Sequence, residues 1–128
     1  MKWTIAKCWS PGQIKLLRVA YEFAVQELDL KSNVSIRLAG RNHEHGFTID
    51  SKVVIFYKDV IEEVVGTLFH ELTHVSQFEK GKLYHNKNGV LIWKSGKHTS
   101  KNTAYCDQPW EIEAIKSEKI LTDCFFSC

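Results

Sequence analysis

The spacing of hydrophobic residues predicts three amphipathic helices separated by strands. In the first segment, apolar side chains recur every three or four residues from Ile14 to about Leu30, as in a helix with one buried face. Ahead of it, Ser10, Pro11 and Gln13 supply a capping serine, a proline for the first turn and a glutamine that can complete a capping box. We therefore expect the first helix to begin directly after Ser10.

Two further helical patterns follow along the chain. One runs from Val60 to near Gly81, and its apolar positions are Ile61, Val64, Val65, Leu68, Leu72, Val75 and Phe78. Asp59 and Glu62 have the spacing of a capping box at its start. The last helix is predicted to start at Pro109, because proline is favoured in the first helical turn. Its apolar positions include Trp110, Ile112, Ala114, Ile115 and Leu121.

Between these helices the pattern changes to that of strands. Residues 34–38 alternate with period two, and residues 47–57 contain a β-branched and aromatic run that predicts one or two strands. A polar loop, residues 40–46, separates them. Residues 82–105 are typical of a hairpin, with a turn at 86–89 and a strand directly after it. The order helix, strands, helix, hairpin, helix predicts one compact α+β domain over residues 1–128.

Composition agrees with a globular domain. The chain has 128 residues, of which 44% are hydrophobic and 25% charged, with only two prolines and seven glycines. No apolar stretch approaches the length of a membrane helix, and the segment from Met1 to Trp9 lacks the apolar core of a signal peptide. We expect a monomer in the cytoplasm. The four cysteines have no CxxC spacing, so free thiols are expected rather than a zinc ribbon or a disulfide framework.

Positive charge is concentrated in one part of the chain, although the formal net charge is only +2. From residue 80 to residue 106 there is no acidic side chain, and the lysines there are Lys80, Lys82, Lys87, Lys94, Lys97 and Lys101. The simpler interpretation is a solvated face of the hairpin. The alternative is a cationic surface for acidic peptides or a nucleic-acid backbone, so nucleic acid is a possible but not favoured partner.

The main chemical signal is the HExxH motif formed by His70, Glu71 and His74 within the second helix. Histidines at positions i and i+4 lie on one helix face, where two imidazole nitrogens can converge on a tetrahedral Zn²⁺. The glutamate after the first histidine then lies within reach of a metal-bound water, the position of the general base in a metalloprotease. The motif predicts one zinc ion per chain.

A catalytic zinc needs a third protein ligand. The pattern HExxHxxGxxH is excluded, because Gln77 and Lys80 stand where it requires glycine and histidine. The residues left as candidates are His85, His98, Glu111 and Glu113. The two glutamates have the better geometric case, because they lie in the first turn of a helix, close to the small Ala114.

With these motifs on successive helices, the chain resembles the zincin metallopeptidases of the glutamate-ligand branch, the gluzincins. The resemblance is to the minimal single-domain members, and more loosely to the small SprT-like proteases. It covers roughly residues 47–118. It implies a zincin-like fold: an N-terminal helix, a small twisted sheet, the HExxH helix, a hairpin and a C-terminal helix that carries the glutamate ligand. It also implies that residues 47–57 form the rim of the cleft, where a substrate peptide could add as a strand.

The resemblance places the third ligand at Glu111, since gluzincins often have a small residue three positions later, here Ala114. Glu113 becomes the alternative. Many gluzincins have an aspartate or asparagine four positions after the ligand that orients a zinc histidine, but this chain has Ile115 there. Either Glu113, Asp107 or a backbone carbonyl then orients the histidine, or Glu111 is not the ligand.

A tyrosine or histidine near the metal usually stabilises the oxyanion of the reaction. Tyr105 is the candidate, and its rivals are Tyr84, His85 and His98. The predicted function is that of a zinc-dependent endopeptidase that uses a metal-activated water, with Glu71 as general base. The alternatives are an SprT-like protease acting on proteins bound to nucleic acid, and a zinc-stabilised interaction module without activity.

Overall fold

Three long helices pack with a four-stranded sheet and a smaller three-stranded sheet to form an α+β structure. The computed structural model describes residues 2–94 and 96–127. In chain order the elements are β1 (Lys2–Ile5), α1 (Pro11–Leu28), β2 (Ser35–Arg41), β3 (Gly46–Ile49), β4 (Lys52–Tyr57), α2 (Ile61–Glu79), β5 (Leu83–His85), β6 (Leu91–Trp93), β7 (His98–Thr99), a 3₁₀ turn (Tyr105–Asp107) and α3 (Pro109–Phe126). Within these described residues, no helix combines the length and the apolar character that crossing a membrane requires.

The larger sheet has the strand order β1-β2-β4-β3. Strands β1, β2 and β4 are parallel, whereas β3 runs antiparallel to β4 and forms one edge. Helix α1 provides the crossover that the parallel pair β1 and β2 needs. One row across the sheet pairs Trp3 with Ile36, Ile36 with Val53, and Val53 with Thr48. The edge strand β3 thereby lies next to the helix that carries HExxH.

Helix α2 is the central element of the core. It contacts α1 and α3 as well as strands β3 and β4, so most of its circumference is buried rather than one face alone. Its apolar residues Val64, Val65, Leu68, Phe69, Leu72 and Val75 are almost completely buried. A helix packed on several sides gives the side chains that it carries fixed positions.

A second, smaller cluster attaches the hairpin sheet to the beginning of α3. Leu83 of β5, Trp93 of β6 and Trp110 of α3 form this cluster, and Phe78 and Leu91 pack against it. The Trp110 side chain is 1% exposed. Because residue 110 is anchored in this way, the rotation of the first turn of α3 about its axis is fixed.

Several local predictions are confirmed. Helix α1 begins at Pro11 with the complete capping box: Ser10 Oγ accepts a hydrogen bond from the Gln13 amide at 3.2 Å, and the Ser10 amide donates to Gln13 Oε1 at 2.8 Å. Helix α3 begins at Pro109. The run 47–57 forms two strands, and residues 83–85 and 91–93 form the predicted hairpin.

One strand was missed, and two element boundaries differ from the predictions. Strand β1 was not expected, because its alternation spans only four residues and its partner β2 lies about thirty residues later. Strand β2 continues to Arg41, into the predicted loop. The Asp59 capping box does not form: α2 starts at Ile61 without a side-chain cap. Instead, the Asp59 carboxylate accepts a hydrogen bond from the Arg41 guanidinium at 2.8 Å.

Candidate metal centre

The two histidines of the HExxH motif lie side by side on α2. Residues His70 and His74 are one helical turn apart, and their ring centroids are 4.9 Å from each other. His74 is buried, and the His70 side chain is largely so. This placement follows from the helical period alone, so the motif determines the spacing of the pair before any tertiary contact forms.

The first turn of α3 brings a carboxylate to this pair. Glu111 Oε1 lies 3.0 Å from His70 Nε2 and 3.2 Å from His74 Nε2. Ligand atoms at zinc distances in a tetrahedral arrangement are about 3.3 Å apart. His70, His74 and Glu111 form the group with metal-ligand chemistry among residues 2–94 and 96–127. Two imidazole nitrogens and one carboxylate oxygen at this separation fit a divalent cation.

The other ring nitrogen of each histidine, Nδ1, also has a hydrogen-bond partner. Glu118 Oε1 lies 3.0 Å from His70 Nδ1, and Gln77 Oε1 lies 2.8 Å from His74 Nδ1. If Nδ1 carries the proton and donates it to these acceptors, the Nε2 lone pair is directed at the shared site. Such partners are the usual means by which metal-binding histidines are fixed in tautomer and ring orientation.

The orientation of the Gln77 amide follows from its other contacts. Its nitrogen donates to the Trp110 carbonyl oxygen at 3.0 Å and to Glu113 Oε1 at 3.1 Å. Both of these groups are acceptors, so the amide nitrogen must face them and the amide oxygen must face His74. Gln77 is 1% exposed, which makes the arrangement rigid.

Glu113 therefore lies apart from the histidine pair. Its carboxylate contacts the Gln77 amide and, at 3.6 Å, the Lys82 ammonium group. Of the two glutamates proposed as third ligand, the structure brings Glu111 to the histidines. The other candidates, His85 and His98, are also elsewhere: His85 stacks on the Phe78 ring, and His98 lies in β7.

The expectation that Glu113, Asp107 or a backbone carbonyl orients a histidine directly was wrong. Glu118 and Gln77 take this position, and both were missed. Glu118 follows Glu111 by two helical turns, so it shares a helix face with Glu111, and this spacing could have identified it. Gly66 makes room for it, since an added Cβ there would lie 3.0 Å from Glu118 Oε2.

The electrostatics of the cluster favour a cation. Burial raises the pKa of Glu111, but hydrogen bonds with His70 and His74 outweigh this effect and hold it at about 2. Burial lowers the pKa of His70, yet hydrogen bonds with Glu111 and Glu118 raise it to about 10. Burial lowers the pKa of His74 as well, but the hydrogen bond with Glu111 and the charge of Glu111 outweigh this effect and raise it. Without a metal the two carboxylates thus stabilise positive charge on the imidazoles, at the place where a metal ion would supply it.

Glu71 has a different environment from the other glutamates. It is 7% exposed, and burial raises the pKa of its carboxyl group, with an opposing effect from the Thr48 hydrogen bond. Thr48 Oγ1 of strand β3 donates to Glu71 Oε1 at 2.6 Å. A raised pKa makes a carboxylate a stronger base, which is the property that a general base needs.

These groups line a cleft of about 730 Å³ between strand β3, helix α2 and the start of α3. The cleft is lined by residues 44–48 and by Glu63, Thr67, His70, Glu71, His74, Phe78, Leu83, Leu91, Tyr105, Trp110, Glu111 and Glu118. Its volume is in the range of sites that bind small ligands or peptide side chains. Phe78, Leu83 and Leu91 give one part of it an apolar surface.

Of the residues that the sequence offers for stabilising an oxyanion, Tyr105 lines the cleft. Its hydroxyl is 3.4 Å from Glu111 Oε1, and the residue is 64% exposed. Burial and the charge of Glu111 raise its pKa, so the phenol stays protonated and can donate a hydrogen bond. The described cleft lining does not include its rivals Tyr84, His85 and His98.

The close approach of β3 to α2 depends on Gly46. A Cβ added there would lie 2.6 Å from the Val54 carbonyl oxygen and 2.9 Å from Thr67 Cγ2. We expect Gly46→Ala to lower the free energy of unfolding by about 1–3 kcal/mol, because the backbone must shift. Urea denaturation measures this, with Gly40→Ala as the control, since an added Cβ at Gly40 meets nothing within 4 Å. Equal losses in the two variants would contradict this explanation.

The lysine-rich segment has structural roles at several positions. Lys80 donates to the Leu28 carbonyl oxygen at 3.1 Å, Lys82 pairs with Glu113, and the Lys94 ammonium group lies 5.0 Å from the Trp93 ring centroid. The described cleft lining includes no lysine. Among the cysteines, Cys8 and Cys106 are exposed free thiols, and Cys128 lies outside the described residues.

No family model, curated protein or solved structure matches this chain. The cleft itself combines three converging donor atoms, a buried glutamate beside them and open space in front of them.

Proposed function

We propose that the protein is a zinc-dependent endopeptidase with a zincin-like fold of the glutamate-ligand branch. The observation that carries the proposal is the position of Glu111 Oε1, which lies 3.0 Å from His70 Nε2 and 3.2 Å from His74 Nε2 in an open cleft beside Glu71. Two histidines and a glutamate are a donor set of catalytic zinc sites, which keep one position for water or substrate. A purely structural zinc site would be closed by a fourth protein ligand.

Zinc is favoured over other divalent ions by the donor types. Imidazole nitrogen suits zinc and its transition-metal neighbours, whereas magnesium and calcium prefer sites made of oxygen alone. A zinc ion bound here would lower the pKa of a coordinated water toward neutrality and polarise a carbonyl group. The protein holds the three ligand side chains from two helices, and Glu118 and Gln77 fix the histidine rings.

Glu71 and Tyr105 have positions suited to the proton transfers and charge of hydrolysis. Glu71, adjacent to His70 and lining the cleft, acts as the general base that takes a proton from the attacking water and delivers it to the leaving amine. The Tyr105 hydroxyl donates to the oxygen on which negative charge develops. Since this side chain is largely exposed, it can move toward a bound substrate.

A peptide is the substrate that the surroundings fit best. Strand β3 is an edge strand along the cleft, and within residues 2–94 and 96–127 its one strand partner is β4, so its outer edge offers main-chain groups to an extended peptide. The apolar surface formed by Phe78, Leu83 and Leu91 would accept a hydrophobic side chain of that peptide. An edge strand next to the HExxH helix, followed by a glutamate on the next helix, is the arrangement that the gluzincin resemblance implies.

Metal content and metal-dependent hydrolysis test the proposal together. Protein reconstituted with zinc should contain one zinc per chain by elemental analysis, and it should cleave a mixed peptide library. A chelator should abolish cleavage and lower the melting temperature, since zinc at 100 times its Kd stabilises a protein by about 2.7 kcal/mol. Added zinc should restore both properties.

Matched histidine variants provide the control. His74→Ala should lose zinc, whereas His43→Ala, in the loop before β3 and outside the described cleft lining, should retain it. Folded protein that takes up no zinc would exclude the proposed function. Protein that binds zinc with full stabilisation but cleaves no peptide in the library would instead favour a zinc-stabilised module without activity.

A further inference from the structure

We propose that Thr48 is the positioning residue of the catalytic base, holding the Glu71 carboxylate through its hydroxyl group. This inference rests on the proposed function and deepens it. No part of the HExxH motif predicts such a residue, because Thr48 lies on the edge strand β3, more than twenty positions before Glu71 in the sequence.

Strand alternation directs Thr48 at the base. Gly46 and Thr48 are partly buried, whereas Phe47 and Ile49 between and after them are exposed. An added Cβ on Gly46 would approach Glu71 Cγ at 3.6 Å, so this face of β3 lies against Glu71. Thr48 is paired with Val53 of β4, which is buried in the core. The hydroxyl group is therefore presented from a paired strand rather than from a mobile loop.

The hydrogen bond from Thr48 engages one oxygen of the Glu71 carboxylate and leaves the other oxygen able to accept a proton. Thr48 Oγ1 is 2.6 Å from Glu71 Oε1 and 3.1 Å from the Glu71 carbonyl oxygen. A hydroxyl has one proton, and the shorter contact to the charged group receives it. Among the described residues, this is the one hydrogen bond that the Glu71 carboxylate accepts, so Oε2 stays available to a water in the cleft.

Position matters because a general base must lie within hydrogen-bond distance of the proton that it removes. The Glu71 side chain can rotate about several bonds, and one fixed oxygen removes most of that freedom. Thr48 also lies on the strand that is proposed to pair with substrate. The strand that receives the peptide thus holds the base as well.

Two substitutions at Thr48 separate the hydroxyl from the shape of the side chain. Thr48→Val keeps the branched shape and suits a strand but removes the donor, whereas Thr48→Ser keeps the donor. In zinc-loaded protein, Thr48→Val should lower kcat on the order of tenfold, less than the roughly 10²-fold that a 1 Å misplacement can cost. KM and zinc content should stay at parent values, and Thr48→Ser should restore most of the rate. In a Glu71→Gln background, Thr48→Val should have no further effect on the residual rate.

A second readout does not depend on activity. In metal-free protein, Thr48→Val should lower the urea midpoint clearly more in the parent background than in a Glu71→Leu background, where the carboxylate is gone and only the backbone carbonyl oxygen of residue 71 remains as an acceptor. Parent kcat in Thr48→Val, or equal midpoint shifts in both backgrounds, would overturn the role of Thr48. Zinc-loaded parent protein without any peptide hydrolysis would overturn the proposed function instead, and the urea comparison would still decide whether Thr48 holds Glu71.

Discussion

Replacing Glu71 by glutamine should abolish most peptide hydrolysis while zinc stays bound. Glutamine has nearly the same shape, and its amide oxygen can still accept the hydrogen bond from Thr48 that Glu71 Oε1 accepts at 2.6 Å. The helix and both histidines should therefore stay in place. What is lost is the basic carboxylate, and general-base catalysis typically contributes about 10²–10⁴-fold to the rate.

The measurement is kcat and zinc content in the same preparations of parent and Glu71→Gln protein. Glu63→Gln is the matched control, because Glu63 also lies on α2 and lines the cleft but does not adjoin a histidine of the cluster. It should keep a rate close to that of the parent. Cleavage by Glu71→Gln protein at the parent rate would show that Glu71 is not the base, and HExxH would then be a structural zinc clip.

Replacing Glu111 by alanine should weaken zinc binding on the order of 10²-fold or more, whereas Glu113→Ala should cost about tenfold or less. Glu111 supplies a donor oxygen 3.0 Å from His70 Nε2 and 3.2 Å from His74 Nε2. Glu113 reaches the site only through the Gln77 amide, and partners of metal ligands contribute less than the ligands themselves. Both substitutions remove one carboxylate from the same turn of α3, so each controls for the charge that the other loses.

Competition with a chelator of known affinity gives the two dissociation constants, and circular dichroism verifies that α3 is retained. Trp110 should continue to anchor this turn in both variants, because its packing against Leu83 and Trp93 involves neither carboxylate. A larger loss of affinity in Glu113→Ala than in Glu111→Ala would mean that the two glutamates exchange roles when the metal binds.

The sequence alone predicted the features that depend on short-range order. Helical period placed His70 and His74 on one face, and the capping signals placed the start of α1 at Pro11 and of α3 at Pro109. The hairpin followed from its turn residues and the strand after them. These features involve residues within about one or two turns of each other, where backbone geometry and side-chain type are decisive.

Contacts between distant parts of the chain could not be predicted in this way. Strand β1 exists because it pairs with β2 across the whole length of α1. Asp59 does not cap α2 because the helix begins one residue later than predicted, with Val60 at the N-cap position, and the Asp59 carboxylate pairs with Arg41 instead. A four-residue alternation and an acid before a helix are each compatible with several structures, and only the tertiary partner selects one.

The candidate site likewise combines features that the local sequence determines with features that only tertiary contacts decide. Sequence determined the histidine pair and the adjacent Glu71, but residue types alone left both Glu111 and Glu113 as ligand candidates. The two lie about 200° apart around α3, so only one can face α2. The packing of Trp110 against the hairpin sets the rotation of α3 and brings Glu111 to the histidines. Tertiary packing likewise selected Glu118, Gln77 and Thr48 as partners, because it decides which faces of separate elements meet.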